Sequence, residues 1–488
     1  MLVSTRDIKE KEVKESEAII EGLASDGGLY VRRDIPVLSS SELSIIKDYD
    51  YYPLATFILS KFLMEFSKEE LYDLIFKSYK GKFDIDSCVK VNKTKDAYVL
   101  ELYHGPTCAF KDMALLVLPN LLEESFKKNN KENKTIILTA TSGDTGSSAL
   151  NGFKDTNTKM IVFYPTDGVS AIQERQMLKL RSDKAKVIAI EGNFDDAQKL
   201  VKKLFNDKNV KEELNGYELS SANSINIGRL LPQIVYYFKS YFDLVKENEI
   251  SFGEAINFSV PTGNFGDILA GFIAFKMGLP VNKLICASNS NSVLTEFFNT
   301  KVYNKNRKFY KTISPSMDIL VSSNLERLLY YVTNSPEDTK NLMKDLEEKG
   351  SYKIDDKYDL SLFKGIYLDE EETKEVIKKV YNDNNYLIDP HTAVSYGAYL
   401  KYQEETKDNT KTVVLSTAHP YKFPVSVLSS LGINSNEEFK AISSLEEMTG
   451  IKRPKMIKEL DNSYEKVVWK KEEAYKRALK LIEEMCHV

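Results

Sequence analysis

The stretch "INFSVPTGNFGDILAGFIAFKMG", residues 256–278, reads as strand, turn and helix in immediate succession. Val260 ends a strand, and Gly263, Asn264, Phe265 and Gly266 turn the chain. Asp267 then opens a helix with apolar positions at Ile268, Leu269, Phe272 and Ile273. The same order recurs along the chain. "TIILTAT" (135–141) precedes "SSALNGF", and "KMIVFYP" (159–165) precedes "AIQERQMLKLR". "AKVIAIEG" (185–192) precedes "FDDAQKLVKKLF", and "KTVVLSTAHP" (411–420) precedes "FPVSVLSSLG". Repeated strand–turn–helix units predict parallel sheet built from right-handed βαβ crossovers. Ligands of such sheets bind beyond the carboxyl ends of the strands. The loops after these strands are therefore where chemistry is expected.

The whole chain sets the outer limits. Its 488 residues suffice for two or three domains, and 42% apolar with 28% charged residues is ordinary for a globular protein. Net charge is −5 with both signs interspersed, which argues against a nucleic-acid partner. Runs such as "KEEAYKRALKLIEE" are read as solvated helix faces. The apolar run near Leu115 is too short to span a bilayer, and Pro119 interrupts it. "MLVSTRDIKEKEVKE" has no apolar signal core, and the four cysteines form no CxxC pair. Four scattered histidines give no metal cluster, so no metal is expected. These features predict a cytoplasmic protein with reduced thiols. Four domains are expected: residues 1–95, mixed and mostly helical; 96–225, a smaller α/β unit; 226–430, a larger one with an insertion at about 299–380; and 431–488, a C-terminal helical segment.

Each loop offers its own chemistry. Gly263 and Gly266 permit positive φ and close backbone approach, and successive N–H groups at a helix start suit a dianionic phosphate. A tight turn used only for packing would look the same. The motif is neither GxGxxG nor a P-loop. In "TATSGDTGSSAL" (139–150), Thr145, Ser147 and loop N–H groups are candidates to hold a carboxylate, although Asp144 or Ser147 as a helix cap is the plainer account. In "LSTAHPYKFP" (415–424), Ser416 and Thr417 end a strand with hydroxyls placed to meet a ring nitrogen, or to form a polar turn. In "DPHTAVSYGA" (389–398), Asp389 is read as a helix cap. "HGPTCAFKDMALLVLP" (104–119) puts Lys111 among Phe110, Met113, Ala114, Leu115 and Leu116. Desolvation there would lower its pKa and make a neutral nucleophilic amine available. A phosphate cradle, a carboxylate loop, a ring-nitrogen hydroxyl and a shielded lysine together match the needs of pyridoxal 5'-phosphate.

These motifs resemble those of the threonine synthase family, of the fold-type II pyridoxal-phosphate enzymes. "STR" (4–6) and "GLASDGGLYV" (22–31) are similar to the family's N-terminal signature. "HGPTCAFKD" resembles its cofactor-lysine motif, "TSGDTG" its substrate loop and "GNFGD" its phosphate cradle; "DPHTAV" and "STAHPYKFP" resemble its C-terminal motifs. The likeness runs to about residue 430. It implies a tryptophan synthase β-like fold: two parallel-sheet α/β domains with an N-terminal extension and a C-terminal helical segment.

The resemblance further implies a carbon–oxygen lyase that converts O-phospho-L-homoserine and water into L-threonine and phosphate. By that likeness Lys111 would hold the cofactor and move protons. Gly263, Asn264, Phe265, Gly266 and Asp267 would cradle its phosphate, and Thr417, with Ser416 beside it, would face its ring nitrogen. Ser142, Asp144 and Thr145 would lie near the substrate. Arg6, Arg229 and Lys422 are the candidates for the substrate phosphate. A monomer is implied, with a dimer as the alternative. Three positions depart from the pattern: Asp7 stands where Gly is usual, Cys108 where a larger apolar residue is common, and Tyr421 where a small one is common. Two rival readings stay open: a phospho-lyase releasing 2-oxobutyrate, and a cofactor-binding homologue that turns nothing over.

Overall fold

The computed structural model describes the chain apart from residues 133, 167, 208–209, 211–213, 215, 461–463 and 488. Two sheets organise it. The larger has six strands in the order Phe363–Tyr367, Val281–Ser288, Ile256–Pro261, Thr412–Ser416, Tyr98–Glu101 and Lys90–Lys93. The first five run parallel, and the edge strand Lys90–Lys93 pairs antiparallel. The smaller sheet is parallel throughout, in the order Val467–Trp469, Ala185–Ile190, Lys159–Pro165, Thr135–Ala140 and Glu218–Ser220.

All five expected units are present. Their strands lead into the helices Asp144–Phe153, Ala171–Lys179, Phe194–Asn206, Gly266–Lys276 and Pro424–Ser430. Every residue of Thr135–Ala140 and of Ile256–Pro261 is buried. That follows from crossover helices covering both faces of a parallel sheet. The 20-residue helix Ile227–Lys246 packs against Gly266–Lys276 on one side and the N-terminal helix Tyr51–Ser60 on another. It buries Tyr236, Tyr237 and Phe238, and each such ring contributes roughly 2 kcal/mol of burial.

The first 79 residues fold into the helices Glu15–Glu21, Ser40–Ile46, Tyr51–Ser60 and Lys68–Tyr79. Capping boxes at Ser39/Glu42 and Ser67/Glu70 start two of them. Three features lie outside the sequence expectation. Tyr98–Glu101, placed by sequence in the smaller unit, joins the larger sheet through Thr412–Ser416. The segment 299–380, expected as an insertion, supplies the edge strand Phe363–Tyr367 of the larger sheet beside the helices Leu325–Thr333 and Pro336–Glu348. The C-terminal segment is not all helix, because Val467–Trp469 extends the smaller sheet.

Candidate active site

The loops after Tyr98–Glu101, Thr135–Ala140, Ile256–Pro261 and Thr412–Ser416 carry the candidate residues at the carboxyl ends of their strands. Lys111 stands at the start of a short helix, Asp112–Leu115. Its loop is fastened to the neighbouring strand end. Phe110 N donates to Thr417 O (2.8 Å), Leu102 N to Ser416 O (3.0 Å), and His419 N to Cys108 O (3.1 Å). The lysine loop and the Ser416–Thr417 loop therefore hold a fixed relation to each other. The Lys111 side chain is about one-eighth exposed, and its amine lies 5.0 Å from the centre of the Phe110 ring. Burial is the main cause of its lowered pKa, about 8, with Arg229 and Lys422 acting in the same direction. Asp144 opposes them from 3.9 Å.

The glycine turn differs from its sequence reading. The left-handed residue is Phe265, with φ +63°, and neither Gly263 nor Gly266 has positive φ. The Phe265 ring is fully buried against Phe298 and Phe363, and that burial offsets the cost of about 1–2 kcal/mol for a left-handed non-glycine residue. Gly263 is needed for close approach, since a Cβ there would lie 2.5 Å from Ser316 O. The carbonyls of the turn are tied back. Ser322 Oγ donates to Gly263 O (2.7 Å), and Asn324 donates to Asn264 O from both N and Nδ2 (3.0 Å each). Among the described residues the N–H groups of Gly263, Asn264, Phe265 and Gly266 have no acceptor. They sit at the start of the helix Gly266–Lys276, where its dipole favours an anion. The Asp267 side chain does not join them: Tyr236 and Tyr237 donate to its Oδ1 at 2.6 and 2.9 Å. Burial raises its carboxyl to about 6, and its Oδ2 is left without a partner among the described residues.

In the loop of residues 141–147 neither Asp144 nor Ser147 caps the helix. The cap position is Gly143, at φ +131°, where a Cβ would meet the Gln173 side chain at 2.3 Å. Thr141 holds the loop instead, its Oγ1 accepting from Gly143 N (2.9 Å) and Gly146 N (3.0 Å). Ser147 turns inward to Asp144 O (3.2 Å), so it is unavailable to a ligand. The hydroxyls of Ser142 and Thr145 are half-buried and have no partner among the described residues. Asp144 is buried and sends its carboxylate to Lys422 Nζ (2.7 Å) and Gln173 Nε2 (2.9 Å). Lys422 and Lys111 hold it well below the usual carboxylate range.

Ser416 and Thr417 divide their roles. Ser416 Oγ meets Thr392 Oγ1 at 2.8 Å, and Thr392 Oγ1 donates to Asp389. Asp389 also caps its helix through Thr392 N and His391 N, as expected, and binds His391 Nδ1 at 2.6 Å. His391 Nε2 accepts from Ser316 N (3.2 Å), so one carboxylate links Ser416 to the segment lying over Gly263. The Thr417 hydroxyl has no partner among the described residues. Free N–H groups at the glycine turn, a free hydroxyl at Thr417 and a shielded amine at Lys111 fit pyridoxal 5'-phosphate in kind.

Comparison with known proteins agrees with this constellation. The family "Pyridoxal-phosphate dependent enzyme" matches residues 89–418; "Threonine synthase N terminus" and "Threonine synthase, C-terminal" match residues 1–79 and 392–468. Threonine synthase of Saccharomyces cerevisiae is 37% identical over 478 residues, covering 90% of each chain. The chain belongs to the threonine synthase family. The enzyme of Pseudomonas aeruginosa is 38% identical, over 84% of this chain and 86% of its own. The crystal structure of pyridoxal-phosphate-bound threonine synthase from Brucella melitensis superposes with a TM-score of 0.85 at 33% identity, covering 100% of this chain and 99% of that one. The fold is that of the fold-type II pyridoxal-phosphate enzymes.

The departures from the threonine synthase pattern have local explanations. Asp7 accepts from Lys9 N and Lys11 N (3.0 Å each) in an exposed turn. Cys108 is a buried thiol raised to about 12 by desolvation, which fits a small apolar role. The Tyr421 ring stacks on His419, and its hydroxyl donates to Ile451 O (2.6 Å), so it props the C-terminal segment. The three cations proposed for a substrate phosphate fare differently. Arg6 forms a bidentate pair with Glu326 (2.8 and 2.7 Å), and Lys422 is bound to Asp144. Arg229 is buried and donates to Ala222 O (2.8 Å); among the described residues it meets no carboxylate and its Nε has no partner. Desolvation lowers it to about 10. Ser322, Asn324 and Gln173 had no sequence signal, because each acts by a contact with a distant stretch, whereas Thr141 acts within its own loop, where a threonine is not by itself distinctive.

Proposed function

We propose that this chain catalyses the threonine synthase reaction, converting O-phospho-L-homoserine and water into L-threonine and phosphate with pyridoxal 5'-phosphate as cofactor. When bound, the cofactor serves as an electron sink that makes protons at the α and β carbons of an amino acid removable. Every other task falls to the chain's own groups. The N–H groups of Gly263, Asn264, Phe265 and Gly266 hold the cofactor phosphate, with Asp267 contributing its backbone rather than its carboxylate. Thr417, whose hydroxyl can still donate or accept, meets the ring nitrogen, and Ser416 stands behind it. Ser142, Thr145 and the loop N–H groups beside them hold the substrate carboxylate.

Lys111 takes and returns protons. With its amine at about 8, a working fraction is neutral near pH 7 to 8, as a general base requires. Arg229 is the retained candidate for a phosphate partner, because among the described residues Arg6 and Lys422 have carboxylate partners and Arg229 has none. Water exclusion comes from the apolar residues Phe110, Met113, Ala114, Leu115 and Leu116 around the lysine loop. Monomeric state and cytoplasmic location are proposed with it. Among the described residues no helix is long and apolar enough to cross a membrane.

The observation that supports this reading best is the placement of a shielded Lys111 amine on a loop clamped to Thr417, within a chain matched to the family over residues 1–79, 89–418 and 392–468. The experiment is product analysis of enzyme supplied with cofactor and O-phospho-L-homoserine. Threonine and phosphate in equal amounts are expected. Phosphate with 2-oxobutyrate would replace the reading by the phospho-lyase, and no phosphate release would replace it by the inert homologue.

A further inference from the structure

We infer that Lys422 is a positioning residue: a buried counter-ion that fixes Asp144 and screens its charge from Lys111. This rests on the reading of Lys111 as the cofactor lysine. Lys422 is completely buried. Its ammonium has three N–H groups, and the structure gives it three acceptors: Asp144 Oδ1 at 2.7 Å, Thr107 O at 2.9 Å and Gln176 Oε1 at 3.0 Å. No proton is left for a phosphate.

Each partner lies on an element that shapes the surroundings of Lys111. Thr107 belongs to the lysine loop and is itself pinned to Asp112, through N (2.7 Å) and Oγ1 (2.8 Å). Gln176 lies on the helix Ala171–Lys179, which also sends Gln173 to Asp144 Oδ1. One oxygen of Asp144 is thus occupied by Lys422 and Gln173, and the other faces Lys111 Nζ at 3.9 Å.

The charged groups around Lys111 are Asp144, Asp112, Arg229 and Lys422, with Asp267 acting from the glycine turn; Cys108 lies nearby as a buried thiol. Without Lys422, Asp144 would have Lys111 as its nearest cation, and the pair would hold the Lys111 proton. An amine kept charged neither attacks a carbonyl nor accepts a proton. Lys422 prevents this by neutralising Asp144 from the far side.

The test follows covalent capture of pyridoxal phosphate by apoenzyme, read from its absorbance across pH. Capture requires the neutral amine, so its pH midpoint reports Lys111. Lys422→Met should raise the midpoint by about one to three pH units. Asp144→Asn should lower it, and the double variant should return it close to wild type. Lys422→Arg should keep it near wild type, and Lys422→Gln, which retains a donor for Thr107 O, carries the same prediction as Met should that variant not fold. A purely structural role would weaken capture in both single variants without opposite shifts of the midpoint. An unmoved midpoint in Lys422→Met and Lys422→Gln, with a raised KM for O-phospho-L-homoserine, would make Lys422 a phosphate ligand and overturn the inference. Failure of the wild-type apoenzyme to capture the cofactor would instead sink the reading of Lys111.

Discussion

Two glycines three residues apart in one turn should answer oppositely to the same substitution. At Gly263 a Cβ would lie 2.5 Å from the backbone oxygen of Ser316, and 3.4 Å from Met317 Cα. Backbone cannot swing aside as a side chain does, so the turn and the 314–317 segment must separate by nearly an ångström. Overpacking of that kind costs about 1–3 kcal/mol. At Gly266 the nearest atoms to a Cβ are Asn324 Nδ2 at 3.7 Å and Gln233 Nε2 at 3.8 Å, which is ordinary contact. Its φ is not positive, and it is the first residue of the helix Gly266–Lys276, so alanine there should be neutral or stabilising by up to about 1 kcal/mol. The assay is urea unfolding of the apoenzymes, with the midpoint compared at constant slope. Cofactor titration then follows: a Gly263→Ala turn displaced from Ser316 should bind pyridoxal phosphate about five- to 150-fold more weakly if the full strain is relieved by moving the turn. If Gly266→Ala apoenzyme is destabilised as much as Gly263→Ala, the account of why each glycine is there is wrong.

Two further predictions concern neighbouring groups. Thr141→Ala leaves Gly143 N and Gly146 N without their acceptor, at a cost of about 1–3 kcal/mol for each that stays buried; KM for O-phospho-L-homoserine should rise while cofactor affinity is retained, and the reverse pattern would remove this loop from the substrate site. Burial lowers Lys111 from 10.5 to about 8, so between these values the unfolded chain binds the extra proton and apoenzyme stability gains with rising pH. Lys111→Met lacks that group. It should therefore be more stable than wild type at pH 7 by up to about 3 kcal/mol, with the gap closing towards pH 10; a gap independent of pH would show that the amine is not desolvated.

The five long strand–turn–helix units were legible because each strand is a short apolar run ended by turn residues, followed by a helix of its own. Val467–Trp469 and Glu218–Ser220 were not. Each has three residues, with Val467 and Val468 about two-fifths exposed, and each exists because a neighbouring strand offers a free edge. In the site, the glycine turn and the lysine were legible as residue types in order. Their conformations were not: the left-handed position went to Phe265, because burial of its ring against Phe298 and Phe363 outweighs local preference. Charge partners were the least legible. Arg6 and Glu326 stand 320 residues apart, and Lys422 and Asp144 likewise come from distant stretches. Sequence spacing carries no information about such pairs, which is why two of three phosphate candidates proved to have internal carboxylate partners.

In the proposed function the amine of Lys111 holds the cofactor beside the turn that begins at Gly263. Enzyme loaded with pyridoxal phosphate, reduced with borohydride and digested, gives one modified lysine whose position mass spectrometry identifies. The expected site is Lys111, in the peptide containing "HGPTCAFKDMALLVLP". A label on another lysine, or cofactor bound with no reducible link to the chain, would contradict it.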